Sequence, residues 1–118
     1  MSRRRAPLEH VLIAGDSSEI DAIRALLALL PSTTYGQVYV ETISGTVLPE
    51  ISAPRRVTVT MLPRDAADLA GERLASAVDG WLAEWIPEEP EPDRDLTIWL
   101  GEVAGARVET SATCLERL

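Results

Sequence analysis

The 118-residue sequence has a formal net charge of −8, with nineteen acidic side chains against eleven basic ones, all of which are arginine. This charge repels phosphate backbones and anionic lipid, so we expect neither nucleic-acid binding nor membrane insertion. One cysteine and one histidine are too few for a disulfide framework, and no metal site is expected. The apolar run Val11–Ala14 is too short for a membrane span or a signal-peptide core, which predicts a cytoplasmic protein.

The chain length suits one domain with a buried core. Residues 1–7 include the basic stretch Arg3–Arg5 and are predicted to form a flexible tail, because little holds a solvated terminus in place. The single domain is predicted to span residues 8–118.

The first predicted elements are a strand over His10–Ala14 and a helix over Ser17–Leu30. Apolar residues recur at helical spacing along that helix, and Pro31 ends it. A second strand follows at Gln37–Ile43, where apolar and polar residues alternate. The connection Ser44–Pro54 contains one glycine and two prolines, which favours an irregular loop over a helix.

The second half of the chain repeats this alternation. A third strand is predicted at Val57–Leu62 and a second helix at Ala66–Trp85. The acidic, proline-rich stretch Pro87–Asp93 is typical of a solvated linker. A fourth strand at Leu96–Leu100 leads into a last helix at Val103–Leu118. Strands that alternate with helices predict an α/β fold, here a small Rossmann-like three-layer domain with a mostly parallel sheet.

The turn after the first strand has two interpretations. Asp16 and Glu19 have the spacing of a capping box, in which each side chain accepts a hydrogen bond from a backbone amide at the helix start. The alternative is an anion site with the Ser17 and Ser18 hydroxyls as donors. Glu19 and Asp21 oppose that alternative, because two like charges about 4 Å apart repel by roughly 4 kcal/mol at an effective dielectric of 20.

No catalytic residue can be assigned from the sequence. His10 begins a strand, at the end away from the expected ligand side, and is predicted to be structural or exposed. Arg64 follows the third strand on the ligand side and is the one cation expected to contact an anion. Pairing with Asp65 or Asp68 is the more ordinary expectation for that side chain.

Two glycine–acid turns, together with the strands before them, carry a family resemblance. The matching segments are His10 to Asp16, Ala22-Ile23, Val38 to Glu41, and Trp99-Leu100-Gly101-Glu102 with Arg107. They resemble the C-terminal half of the siderophore-interacting proteins, which are flavin-dependent ferric-siderophore reductases. The resemblance extends over about residues 8 to 117.

The resemblance implies the nicotinamide-nucleotide-binding half of a ferredoxin-reductase-like enzyme. The expected sheet is four-stranded with strand order 3-2-1-4, and NAD(P)H is expected over the carboxyl ends of its strands. Glu41 then lies where an acidic side chain can hold a ribose hydroxyl. The cofactor-binding residues that the resemblance implies are Gly15, Asp16, Ser18, Glu41, Arg64, Gly101, Glu102 and Arg107.

Departures from the family pattern leave two hypotheses open. Glu19 replaces a small residue and Asp21 a proline, which adds negative charge beside the expected phosphates. The family's flavin-binding barrel should come first, yet only nine residues precede His10, and the chain ends before the family's terminal strand. No flavin is therefore expected within the chain, nor redox activity alone. It is either a detached NAD(P)H-binding half that needs a separate flavoprotein, or a degenerate non-catalytic module for interaction or assembly, such as a homo-oligomer.

Overall fold

A computed structural model describes residues 8–85 and 94–101 of the chain. The strands are β1 (Leu8–Asp16), β2 (Tyr35–Ile43), β3 (Arg56–Arg64) and β4 (Arg94–Leu100). A single turn of 3₁₀ helix, Ser17–Glu19, leads directly into α1 (Ile20–Leu29), and α2 is Glu72–Trp85.

The four strands form one parallel sheet in the order β3-β2-β1-β4. In the register of the central strand, Ile13 lies opposite Val38 of β2 on one side and Trp99 of β4 on the other. The run Val11–Gly15 is buried throughout, as expected for a central parallel strand covered on both faces. The predicted α/β fold, with a parallel sheet in the order 3-2-1-4, is confirmed.

The two helices cover opposite faces of the sheet. Successive β1 side chains point to opposite faces, so the central strand contributes to the packing on both. Val11 and Ile13 pack in one apolar cluster with α1, whereas Leu12 and Ala14 pack in a second cluster with α2. The connection between β2 and β3 contains no helix or strand, as predicted, and its Ile51 packs against the α1 cluster. This loop therefore shares one face of the sheet with α1.

The strands are longer than predicted. Pairing continues to the Asp16–Glu41 pair of β1 and β2 and to the Ile43–Arg64 pair of β2 and β3. Backbone pairing does not require apolar side chains, so polar residues at strand ends escape a search for apolar runs. Pro63 lies within β3, where it is tolerated because β3 is an edge strand of the described sheet.

The predicted start of the second helix at Ala66 is wrong. Residues 65–71 form turns instead, and the helix begins at Glu72. The Asp68 carboxylate accepts a hydrogen bond from the Asp65 N–H at 3.1 Å, which closes a local turn. Gly71 has a φ of 84°, which a helix interior does not allow. These two features explain why the helix begins later along the chain than predicted.

Several predictions fall outside the described residues. They are the tail at 1–7, the linker Pro87–Asp93, the helix Val103–Leu118, and two of the expected cofactor-binding residues, Glu102 and Arg107. Within the described ranges, α1 and α2 both lack the length and apolar character that a bilayer-spanning helix requires.

Candidate functional site

A cleft opens at the carboxyl ends of β1, β2 and β3. Parallel pairing brings these ends to one edge of the sheet, with Asp16 opposite Glu41 and Ile43 opposite Arg64. The cleft has a volume of about 210 Å³ and is lined by Asp16, Ser17, Ser18, Glu41, Thr42, Ile43 and Arg64. Pockets for drug-sized ligands usually measure about 300–1,000 Å³, so this cleft has room only for a small ligand or for one part of a larger one.

Glu41 is the central polar group of the cleft and is only 2% exposed. Its Oε1 accepts hydrogen bonds from Arg64 Nε at 3.0 Å and from the Gly71 N–H at 2.9 Å. Its Oε2 is buried and accepts no hydrogen bond from any side chain or backbone group in the described ranges. Leaving a buried acceptor without a donor typically costs about 1–3 kcal/mol, so this atom is a candidate ligand contact.

Arg64 neutralises the Glu41 carboxylate. Besides the Nε contact, its Nη1 donates to the backbone carbonyls of Asp65 at 3.3 Å and Asp68 at 3.1 Å. The expected pairing with Asp65 or Asp68 therefore runs through their backbone oxygens, while the carboxylate bound by the guanidinium is that of Glu41. Arg64 consequently positions Glu41, and its Nε and Nη1 donors are already engaged.

The predicted capping box is present at the start of the first helical turn. The Asp16 carboxylate accepts hydrogen bonds from the Ser18 N–H at 2.9 Å and from the Ser18 hydroxyl. The Glu19 carboxylate in turn accepts the Asp16 N–H at 3.1 Å. Ser18, which the alternative interpretation assigned to anion binding, therefore donates its hydroxyl to Asp16.

The Glu19 carboxylate lies in the crevice between the carboxyl ends of β1 and β4. Gly101 extends the pairing of these strands, donating its N–H to the Ala14 carbonyl at 2.7 Å. A Cβ on Gly101 would collide with the Glu19 carboxylate, and a Cβ on Gly15 would lie 3.0 Å from Glu19 Oε1. The two glycines therefore leave the space that this carboxylate fills.

This crevice is the topological switch point of the sheet. The chain proceeds from β1 outward to β2 and β3 and then returns to β4 on the other side of β1. In open α/β sheets, ligands bind outside the strand ends at such a point. The β1–β4 crevice and the adjoining cleft are therefore the candidate site, and a carboxylate of the protein itself already lies in the crevice.

Most of the cofactor-binding residues that the sequence predicted lie close together in the structure. Asp16, Ser18, Glu41 and Arg64 line the cleft, and Gly15 and Gly101 border the crevice. Sequence reasoning missed Gly71, whose amide donates to Glu41. A glycine inside a predicted helix is a weak signal for such a break, because glycine is about 1 kcal/mol less favourable there than alanine. Within the described ranges, no group of His, Cys, Asp or Glu side chains is arranged to hold a metal ion.

Comparison with known proteins gives a family match over nearly the whole chain. Residues 8–117 match the family model of the siderophore-interacting proteins. A siderophore utilization protein from T. fusca shares 20% identity and a TM-score of 0.64, over 98% of this chain and 41% of that protein. The siderophore-interacting protein SipS from Aeromonas hydrophila gives 18% identity and a TM-score of 0.58, over 83% of this chain and 39% of SipS.

A third solved structure agrees with these two. The siderophore-interacting protein from Acinetobacter baumannii is 18% identical with a TM-score of 0.56, over 94% of this chain and 42% of that protein. This chain thus spans about two fifths of the length of each of the three structures, and identities of 18–20% show a shared fold alone. No curated protein matches the sequence.

Proposed function

The chain belongs to the siderophore-interacting protein family, and on that premise we propose that its cleft binds the ribose-bearing part of an NAD(P)H-type nucleotide. The observation that carries the proposal is Glu41, which lines the cleft and whose buried Oε2 accepts no hydrogen bond from any described group. An acidic side chain at the end of the second strand is where nucleotide-binding α/β folds hold a ribose hydroxyl.

The chemistry of Glu41 supports a hydroxyl-bearing ligand. Its Oε1 is fixed by Arg64 and Gly71, so the carboxylate is oriented before any ligand arrives. A ribose hydroxyl that donates to Oε2 would remove the cost of the unpaired acceptor. Hydrogen bonds to charged groups contribute about 1.5–3 kcal/mol, which is a substantial share of a small ligand's affinity.

The two halves of a dinucleotide fit the site unequally. The cleft of about 210 Å³ has room for the ribose region and a charged acceptor for its hydroxyl. The pyrophosphate would extend toward the β1–β4 crevice, where the Glu19 carboxylate lies over Gly101. The ribose end therefore fits the described residues, and the pyrophosphate end does not fit while that carboxylate stays in place.

The proposed role is cofactor binding within a ferric-siderophore reductase system. NAD(P)H supplies a hydride when bound, and a separate flavoprotein would accept it. This chain's own residues contribute the hydroxyl acceptor Glu41 and its positioning partners Arg64 and Gly71. No proton-transfer step is assigned to any of them.

Calorimetric titration of the full chain with NADH and with NADPH tests the proposal. We expect saturable binding at or below millimolar nucleotide for at least one of them. Glu41→Gln should weaken it by about tenfold, because a neutral amide replaces the charged acceptor. Glu50→Gln, which removes the same charge from an exposed position in the β2–β3 loop, should leave the affinity unchanged. Absence of saturation with both nucleotides would refute the proposal.

A second candidate function is a non-catalytic interaction or assembly module. The Glu19 carboxylate in the crevice favours it, because a fold that no longer binds a dinucleotide has no need to keep the switch point clear of negative charge. Light scattering after gel filtration tests this candidate through a homo-oligomer that persists on dilution. A chain that stays monomeric and binds NADH would exclude it.

A further inference from the structure

Glu41 offers a ligand one oxygen, and that oxygen requires a hydrogen-bond donor. Its Oε1 already accepts the Arg64 Nε–H at 3.0 Å and the Gly71 N–H at 2.9 Å. Its Oε2 is buried and accepts no hydrogen bond from any described group. An ionised carboxylate only accepts hydrogen bonds. A free ribose hydroxyl can therefore satisfy Oε2, whereas a phosphate ester in the same place brings further acceptors and about 1.5–2 negative charges at neutral pH.

The turn between β3 and α2 holds both partners of Glu41 in place. It supplies the Gly71 N–H, and its Asp65 and Asp68 carbonyls accept Arg64 Nη1 at 3.3 and 3.1 Å. The Asp65 N–H donates to the Asp68 carboxylate at 3.1 Å, which closes the turn. The carboxylate of Glu41 is thus fixed through Oε1 by groups that the backbone positions, and this arrangement does not depend on a ligand.

Arg64 is the cation that a phosphate in the cleft would need, and it is already paired. Among the described lining residues it is the one positive charge, and the Asp16 and Glu41 carboxylates line the same cleft. Moving the guanidinium to a phosphate would leave Glu41, which is 2% exposed, without its counter-ion. Removing one partner of a buried ion pair is strongly destabilising. The pairing that orients Glu41 therefore also withholds Arg64 from a phosphate.

We infer that Glu41, positioned by Arg64 and Gly71, makes the cleft select a nucleotide whose adenosine ribose carries a free 2′-hydroxyl, so that the chain binds NADH in preference to NADPH. The inference rests on the proposed function, because it takes the cleft as the ribose site. It extends that function by naming which of the two nucleotides is bound and which residue discriminates between them.

NADH and NADPH are matched probes, since they differ only in the 2′-phosphate. Calorimetry on the full wild-type chain should give NADH an affinity at least about tenfold higher than that of NADPH. A third probe, NADH built on 2′-deoxyadenosine, lacks only the hydroxyl that donates to Oε2. It should bind the wild type about tenfold more weakly than NADH, because the buried acceptor then stays unpaired.

Glu41→Gln exchanges the acceptor for a donor of the same shape. The glutamine oxygen can still accept from Arg64 and Gly71, while its amide N–H groups can donate to a phosphate oxygen. NADH affinity should fall by about tenfold and NADPH affinity should not fall, so that the two affinities agree within about twofold. Thermal unfolding followed by circular dichroism verifies that the variant folds.

Glu72→Gln is the matched control. Glu72 directly follows Gly71 and begins α2, and its side chain is exposed. The substitution removes the same unit of charge from the neighbourhood of the cleft, where salt screens an exposed side chain. It should leave the ratio of NADH to NADPH affinity within about twofold of the wild-type ratio.

The outcomes separate this inference from the proposed function. Wild-type binding of NADPH as tight as that of NADH, or of the 2′-deoxy probe as tight as NADH, overturns the selection and leaves nucleotide binding intact. An unchanged ratio in Glu41→Gln, or an equal shift in Glu72→Gln, overturns the assignment to Glu41. Absence of saturation with NADH and NADPH alike refutes the proposed function, and the inference with it.

Discussion

A buried polar side chain lies near each end of the sheet, and the two side chains differ in their contacts. At the amino end of β1, His10 is 2% exposed and its ring stacks on Tyr35, with centroids 4.3 Å apart, and lies 4.9 Å from the ring of Trp81. At the carboxyl end of β2, Glu41 is also 2% exposed, yet one of its oxygens accepts nothing from the described residues. Equal burial therefore accompanies ring packing at one end of the sheet and an unsatisfied hydrogen-bond acceptor at the other.

The difference indicates which end is built for packing and which for binding. The amino end consists of stacked rings, and the Arg56 guanidinium lies 5.4 Å from the centre of the Tyr35 ring, within the range of a cation–π contact. The carboxyl end contains several carboxylates, an arginine that is hydrogen-bonded to one of them, and glycines that leave space beside them. Stability is expected to depend most on the first end, and ligand affinity on the second.

The largest effect is expected from Gly36→Ala near the amino end. Gly36 has a φ of 151°, and a Cβ there would collide with the backbone carbonyl of Val11 on the neighbouring strand. Since neither backbone can move without separating β1 from β2, the free energy of unfolding should fall by about 3 kcal/mol or more. Urea denaturation followed by circular dichroism measures this loss.

Gly80→Ala is the control for that substitution. Gly80 lies within α2, and a Cβ on it would have no neighbour within 4 Å. Alanine should therefore raise the free energy of unfolding by about 0.5–1 kcal/mol. Equal stability of the two variants would show that the amino end does not depend on the close approach of β1 and β2.

A smaller effect is expected from Gly101→Ala at the carboxyl end. Gly101 is not among the described glycines with positive φ, so the obstacle to alanine is the Glu19 carboxylate. Displacing that side chain breaks its hydrogen bond to the Asp16 N–H and should cost about 1 kcal/mol, as loss of a helix cap does.

A double-mutant cycle with Glu19→Ala isolates this contact. In the Glu19→Ala background the space beside Gly101 is already empty, so Gly101→Ala should add almost no further loss. The coupling energy between the two sites should be about 1 kcal/mol. Additive losses would mean that Glu19 does not lie over Gly101.

These contacts also mark the limit of what the sequence predicts. The capping box of Asp16 and Glu19 was predictable because its partners are three residues apart and their spacing is itself the signal. The contact of Glu19 with Gly101 joins the ends of β1 and β4, and the Glu41–Arg64 pair joins β2 and β3. Both contacts depend on strand adjacency, which alternating elements alone do not specify.

The family resemblance supplied that adjacency as the order 3-2-1-4, and with it the position of the cleft. It did not supply the direction of individual side chains. Arg64 was expected to contact an anionic ligand or a neighbouring aspartate, and it binds the Glu41 carboxylate instead. The partners of a long, flexible side chain depend on the local backbone, here the turn at residues 65–71 that was predicted to be helical.

The smallest effect concerns Tyr39, which lies on β2 between the two ends. Burial raises the pKa of its hydroxyl above the ordinary value of 10.0, and the negative charge of Glu84 raises it further. The folded protein therefore keeps this proton at pH values where the unfolded chain releases it. The free energy of unfolding should be unaffected by Tyr39 below about pH 10 and should fall as the pH rises through the folded pKa.

Tyr39→Phe removes the titrating hydroxyl, so urea denaturation between about pH 8 and about pH 11 should show a shallower alkaline loss of stability than the wild type. Glu84→Gln should reduce the loss only in part, because burial, the larger cause, remains. Identical alkaline slopes in the wild type and Tyr39→Phe would place the hydroxyl in solvent. The hydroxyl of Tyr39 would then be exposed although the neighbouring Val38 and Val40 side chains are fully buried.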